Sequence, residues 1–349
     1  SGIQMAEITI KDIAKKCGVG VSTVSRALNN HPDINPETRS MILRVIEETG
    51  FIPNNSARNL KRTDAKCIAV LVKGITNPFF SNMIRIIEEE TQRNKYALVL
   101  RHVEAQEDEM DVALELEKEK RLRGIVFLGG KFEHSEEKIG KLNVPFIFST
   151  IGVNLSDRIE KVEFSNIAVD DRAESEKMTE YLLGLGHREI ALITERSERP
   201  IGRLRMEGYR EAYAKRKIPV SENLICYVQE EIEHYSMENG YLTAKKLLES
   251  GEKVTAIYAV SGSLAIGACR AVLEAGKRIP EDISVAGYDG IEMGEYYNPK
   301  LTTIKQPVEE IAKRTIRLLL DVIAGRREHQ QIIFPAELVV RESTGNYQQ

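Results

Sequence analysis

The segment Thr9–Asn29 constrains this chain more than any other stretch. Thr9 is a good helix N-cap, and Asp12 stands three residues on, the spacing of a capping box. Ile10, Ile13, Ala14 and Cys17 recur at i, i+3, i+4 and i+7, the apolar stripe of one short helix. Gly18-Val19-Gly20 interrupts it, and Gly18 supplies the positive φ that a tight turn between crossed helices needs. The spacing predicts a second helix over Val21–Leu28, with Val24, Ala27 and Leu28 inward and Val21, Ser22, Ser25 and Arg26 opposite. That outer face is small, hydroxylated and carries one guanidinium. Such a face suits a DNA major groove, where Arg reads guanine through two hydrogen bonds and a methyl group touches thymine. Spacing alone also fits an ordinary pair of surface helices.

Asn35-Pro36 reads as the cap and first residue of a third helix, with Met41, Ile42, Val45 and Ile46 on one face and Gly50 at its end. Together with Thr9-Ile10-Lys11-Asp12-Ile13-Ala14, Val21–Asn29, Glu37-Thr38-Arg39, Gly50–Asn54 and Ala57-Arg58-Asn59-Leu60, this arrangement resembles the lactose repressor/galactose repressor (LacI/GalR) family of bacterial transcription regulators. The resemblance runs to near the C-terminus. It implies a DNA-binding head over residues 5–53 and a hinge helix with linker over 54–66. DNA contacts are implied for Thr9, Val21, Ser22, Thr23, Ser25, Arg26, Asn29, Ala57, Leu60 and Lys61, with Leu60 wedged into the minor groove. A segment of about eight residues is too short to hold a helix alone in water, so the hinge is expected to order only on DNA. An inserted apolar wedge kinks the duplex at a flexible step. The chain departs from the family at Gly20, where the family usually has serine.

The formal net charge of -4 is unusual for a DNA binder until it is divided. Met5–Thr63 holds nine basic and six acidic residues, so the head carries +3 and the remainder -7. A basic head on an acidic body fits phosphate binding by one end. Cys17, Cys67, Cys226 and Cys269 form no paired motif and read as small apolar groups in a reducing compartment. No secretory-type leader or transmembrane run is visible, so a cytoplasmic protein with no membrane partner is expected.

After the head, nine β-like runs alternate with helices: Ile68–Val72, Ala97–Arg101, Gly124–Leu128, Phe146–Phe148, Ile167–Val169, Ile190–Thr194, Ile225–Val228, Ala256–Val260 and Ile283–Gly287. Such runs mean parallel strands buried on both faces, too many for one small sheet. The expected architecture is an all-α helix-turn-helix head plus an α/β, periplasmic-binding-protein-like body of two doubly wound parallel-sheet lobes over residues 67–344. By the resemblance, the first lobe holds about 67–167 and 299–330, the second about 168–298 and 331–344.

Ligands of such sheets bind beyond the carboxyl ends of strands. That rule nominates Lys73, Thr76, Asn77, Arg101, His102, Lys131, Ser149-Thr150, Glu195-Arg196, Gln229, Ser261 and Tyr288-Asp289. The resemblance adds Asn77-Pro78-Phe79-Phe80 as the first-loop motif, Arg203 as the effector-clamping arginine and Asp289 as the effector-binding aspartate. The expected effector set is Thr76, Asn77, Phe79, Thr150, Arg203, Ser261 and Asp289. The family often has an aspartate near Thr150, and Asn-Asp where this chain has Ser261-Gly262. Those losses point away from a typical hexose. His187 reads as structural. The resemblance implies a dimer interface on first-lobe helices, to which Ile84, Ile87 and Thr91, sharing one stripe, would contribute.

No G-x-G-x-x-G, G-x-x-x-x-G-K-[ST] or G-x-S-x-G motif and no metal-ligand cluster is present, so no catalytic residue, metal or cofactor is expected. The expected function is a dimeric, ligand-responsive regulator, a repressor of carbohydrate-related genes on pseudo-palindromic double-stranded operator DNA, with a sugar or sugar derivative as effector. A regulator dependent on a corepressor protein, and a solute-binding or enzymatic α/β protein, are the alternatives.

Overall fold

The computed structural model describes residues 8–51, 66–130, 136–151, 163–196 and 200–347. The chain divides into two units, Ser1–Asp64 and Ala65–Gln349.

In the first unit, α1 (Ile10–Cys17) begins where Asp12 Oδ2 accepts from the Thr9 N–H at 2.8 Å and the Thr9 hydroxyl at 2.6 Å. It ends at Gly18, φ +64°, the left-handed residue required for the turn. Helix α2 (Val21–Leu28) starts from Gly20 in an extended conformation. Helix α3 (Pro36–Thr49) is capped by Asn35, whose side chain accepts from the Glu37 N–H at 2.8 Å, and stops at Gly50. Ile13, Ala14, Val24, Ala27, Ile42 and Phe51 form the core, with Val45 and Ile46 packed against it. Met41 does not join that face. It is 39% exposed, because α3 turns only Ile42 fully inward.

In the second unit the described strands form two six-stranded sheets. The first comprises β1 (Cys67–Lys73), β2 (Ala97–Val103), β3 (Leu122–Leu128), β4 (Phe146–Ser149), β5 (Ser165–Val169) and β11 (Gln331–Phe334). Its order is β11-β5-β4-β3-β1-β2, and every pairing is parallel. The second comprises β6 (Ile190–Thr194), β7 (Ile225–Tyr227), β8 (Ala256–Ala259), β9 (Ser284–Asp289), β10 (Thr302–Lys305) and β12 (Glu337–Val339). Its order is β12-β10-β9-β8-β6-β7, with only β12 antiparallel. The helices between strands are α4 (Pro78–Arg93), α5 (Glu109–Glu119), α6 (Glu136–Ile139), α7 (Asp171–Gly184), α8 (Pro200–Lys215), α9 (Met237–Glu249), α10 (Gly262–Glu274), α11 (Met293–Tyr296) and α12 (Val308–Ile323).

All nine runs are strands, and the lobe partition differs from expectation in the last third. Residues 299–305 belong to the second lobe, because β10 pairs with β9 and Thr302, Thr303 and Ile304 are buried there. Without it the apolar β9 would stand as an unpaired edge. The chain crosses at Gln306, α12 packs on α4 and the first sheet, and β11 pairs with β5. It crosses again before β12. The stripe Ile84, Ile87 and Thr91 is not an outward face either: Ile87 and Thr91 are fully buried, since α4 turns that side toward its own sheet. His187 is structural as read, with its ring nitrogens 2.8 Å from Thr255 Oγ1 and 2.9 Å from the Gly345 carbonyl.

Candidate functional site

The outer face of α2 is open. Val21, Ser22 and Arg26 are exposed, Ser25 and Thr23 half-buried, and Asn29 and Thr9 exposed at the helix ends. Asn29 Nδ2 donates to the Ser25 carbonyl at 2.7 Å and so closes the end of α2. Short hydroxyls and one arginine standing clear of a packed three-helix core form a surface that can enter a groove and meet base edges. Ala57, Leu60 and Lys61 lie outside the described residues.

The body contains a cavity of about 280 Å³ between the two sheets, at the carboxyl ends of their strands. Asn77, Phe79, Thr150 and Asp289 line it, as do Lys73, His102 and Glu195. Asn77 caps α4 by accepting from the Phe79 N–H at 3.1 Å, which seats Phe79 and Phe80 at the cavity wall. Thr150 and Asp289 both hold positive φ, 72° and 82°. A β-branched residue there is strained by ~1–3 kcal/mol, and such strain gathers at functional sites.

Three expected residues fall elsewhere. Thr76 is exposed on the loop before α4. Ser261 is fully buried and accepts from the Leu264 N–H at 3.2 Å, serving as the N-cap of α10. Arg203 does not line the cavity; Arg205 does. Two residues along a helix is a turn of about 200°, so only one of these arginines can face inward. Arg205 is 3% exposed and shares a face with Gly208, Tyr209 and Ala212 at i+3, i+4 and i+7. A cation on an apolar stripe is the signal that identifies it.

Arg205 is held on several sides. Its Nε donates to Asp171 Oδ1 at 3.0 Å, its Nη2 lies 2.9 Å from the same oxygen and 3.5 Å from Asp289 Oδ1, and its Nη1 donates to the Val260 carbonyl. The guanidinium carbon sits 3.6 Å from the centre of the Tyr288 ring. Burial opposes its charge, but Asp171, Tyr288 and Asp289 outweigh it and hold the group well above its ordinary value. For Asp171 and Asp289 burial pushes the carboxyls up, and Arg205 opposes it. Gln306 Nε2 donates to Asp289 Oδ1 at 2.9 Å. Gln306 escaped the sequence reading because the four-residue strand before it was not recognised.

The loop Glu230–Tyr235 also lines the cavity and was missed, since nothing local in a loop reports which way it folds back. Glu195 anchors it, with Oε1 2.7 Å from His234 Nδ1 and Oε2 accepting from the Tyr235 hydroxyl at 2.6 Å. His234 Nε2 lies 3.1 Å from Glu230.

A helix-turn-helix reading head and a two-lobed body enclosing a polar, ligand-sized cavity define a DNA-binding transcriptional regulator. Residues 9–54 match the family described as bacterial regulatory proteins, lacI family, and residues 179–344 match the periplasmic binding protein-like domain. The HTH-type transcriptional regulator MalR of Clostridium butyricum is 36% identical over 341 residues, covering 97% of this chain and all of the relative. Among solved structures, a LacI family transcriptional regulator from Enterococcus faecium with bound ribose is 30% identical, covers 81% of this chain and 100% of its own, and superposes with a TM-score of 0.68. The lac repressor dimer bound to operator and the anti-inducer ONPF is 25% identical over 97% of this chain and 99% of its own, with a TM-score of 0.73. The chain belongs to the lacI family of bacterial regulatory proteins, and is a regulator rather than an enzyme. No helix among the described residues is long and apolar enough to cross a membrane.

Proposed function

We propose that this regulator is a homodimeric repressor of carbohydrate-related genes, acting on cytoplasmic, nucleoid DNA and controlled by a small sugar-like effector in the inter-lobe cavity. The observation that carries the effector reading is that cavity itself. Both lobes line it, and its floor is the buried Arg205–Asp289 pair beside Gln306. A ligand touching both lobes favours one lobe arrangement over others and shifts the population between them. The ribose-bound relative and the operator-bound dimer above support sugar control and a dimer on operator DNA. A pair of heads reading a pseudo-palindromic site also gains the contacts that one small head lacks.

In this reading Asn77, Phe79, Thr150, Arg205 and Asp289 meet the effector, and Thr9, Val21, Ser22, Thr23, Ser25, Arg26 and Asn29 meet the operator. Residues 54–66 are assigned to the hinge, with Ala57, Leu60 and Lys61 contacting DNA and Leu60 wedged into the minor groove. The test is fluorescence anisotropy of a labelled operator duplex with the full chain, titrated with a sugar panel. An effector changes operator affinity by ~5–150-fold, and Asp289→Ala abolishes that response while leaving operator binding. If no panel member alters operator affinity, the effector reading is wrong. A sedimentation experiment that finds only monomer on operator DNA overturns the dimer.

A further inference from the structure

We propose, resting on the effector reading above, that the cavity selects an uncharged or amine-bearing sugar and rejects sugar phosphates and sugar acids. Six carboxylates line it among the described residues: Glu104, Glu195, Glu230, Glu231, Glu233 and Asp289. Among the described residues, the lysine and the arginine that face them are already engaged. Arg205 lies between Asp171 and Asp289. Lys73 Nζ donates to the Glu107 carbonyl at 2.9 Å and lies 3.5 Å from Glu109 Oε2. The histidines are likewise taken: His234 bridges Glu195 and Glu230, and His102 Nδ1 lies 3.5 Å from Glu104. Among the described residues an anionic ligand therefore meets a surplus of like charge. At ~5 Å each carboxylate weakens its binding by roughly fourfold even with the screening of bulk water.

A second observation concerns hydrogen bonds rather than net charge. Gln306 is 2% exposed and lines the cavity, with its amide nitrogen turned to Asp289. Its Oε1 is buried and has no hydrogen-bond partner among the described residues. A buried acceptor lacking a partner calls for a donor. A sugar hydroxyl or an ammonium group supplies one. An ionised carboxylate or phosphate dianion placed there supplies none, so the anionic group of a sugar acid or phosphate is kept from this position and only its hydroxyls can meet Gln306. Phe79 and Phe80, with ring centroids 5.3 Å apart and tilted by 58°, give an apolar wall for the C–H face of a sugar ring.

The test uses the full chain and matched sets of probes built on glucose, galactose, mannose, ribose and maltose. Each set holds the parent sugar, its amino-deoxy analogue, its phosphate and its uronic acid. Thermal shift ranks the sets, and calorimetry follows any hit at low and at physiological salt. Binding is expected from parent or amine members only, with the phosphate and acid of the same sugar at least tenfold weaker. The amine's advantage should shrink as salt screens the carboxylates. Glu231→Gln with Glu233→Gln, both on the exposed part of the loop, should weaken the amine and strengthen the phosphate relative to the parent, by roughly fourfold per charge. A phosphate or acid that binds as tightly as its parent overturns the charge selection and leaves the effector cavity standing. An unchanged phosphate-to-parent ratio in the double variant also overturns it. If no member of any set binds and operator affinity never responds, both readings fall together.

Discussion

At the scale of the residue, Arg26 and Arg205 make opposite use of the same side chain. Arg26 is exposed on α2, where its guanidinium has no buried partner to satisfy. Arg26→Ala should leave the fold intact and cost ~1–3 kcal/mol of operator binding, with discrimination against random DNA reduced. Competition anisotropy reads both; a variant that keeps full discrimination would remove α2 from the role of reading helix. Arg205, in contrast, is enclosed by Asp171, Asp289 and Tyr288. Arg205→Ala leaves two buried carboxylates uncompensated, and a loss of ~3–5 kcal/mol is expected in urea unfolding. The difference between Arg203 and Arg205 shows what was legible. Thr150 and Asp289 could be named because they stand at the ends of strands that aim them, and Asn77 because the loop after β1 leads directly into the cap of α4. A residue on a helix needs its phase, and the phase was in the sequence: Arg205, Gly208, Tyr209 and Ala212 keep helical spacing. Ser261 was misjudged because a serine after a strand serves a helix cap and a ligand equally well.

At the scale of the element, long apolar strands were legible and short mixed ones were not. Strands β10, β11 and β12 have three or four residues each, and their Thr, Gln and Glu positions dilute the apolar pattern. What identifies them is the neighbour they pair with, which no local window contains. Helix packing carries the same lesson. At Gly240 on α9 an added Cβ would stand 2.6 Å from the Leu264 Cα of α10. Gly240→Ala should therefore lose ~1–3 kcal/mol of stability, read as a lower urea midpoint, despite improving helix propensity. Helices α4 and α12 are joined by Glu90, whose carboxylate lies 3.2 Å from Arg317 Nη2 and 2.9 Å from Arg93 Nη1. The Arg317 hydrogen bond, helped by Arg93, holds Glu90 below the ordinary 4.5 although burial opposes it. A depressed carboxyl stabilises the fold above its unfolded value and loses that contribution as pH falls through the folded one. Wild type should therefore lose stability on acidification below about 4.5, and Glu90→Gln should show a flatter acid limb in chemical denaturation.

At the scale of the whole molecule, charge is divided between DNA-binding and ligand-binding units. The head carries +3 and the rest of the chain -7. Operator affinity should fall by roughly 10³-fold from about 50 to about 200 mM salt if six or so phosphates are contacted, whereas an uncharged effector should bind almost independently of salt. Equal salt dependence for both would contradict this division. The order of strands in the two sheets has a consequence for synthesis. A ribosome delivers the chain from its N-terminus, and the head can close its own core as soon as Phe51 has emerged. Neither lobe has that freedom. The first sheet waits for β11 until the second is nearly made, and the second waits for β12. A product released before residue 302 turns β5 and β9, interior strands of the finished sheets, into edges, which are templates for aggregation and targets for proteases. Premature termination before β10 is therefore expected to leave a fragment whose head can close while its body stays open to aggregation and proteolysis.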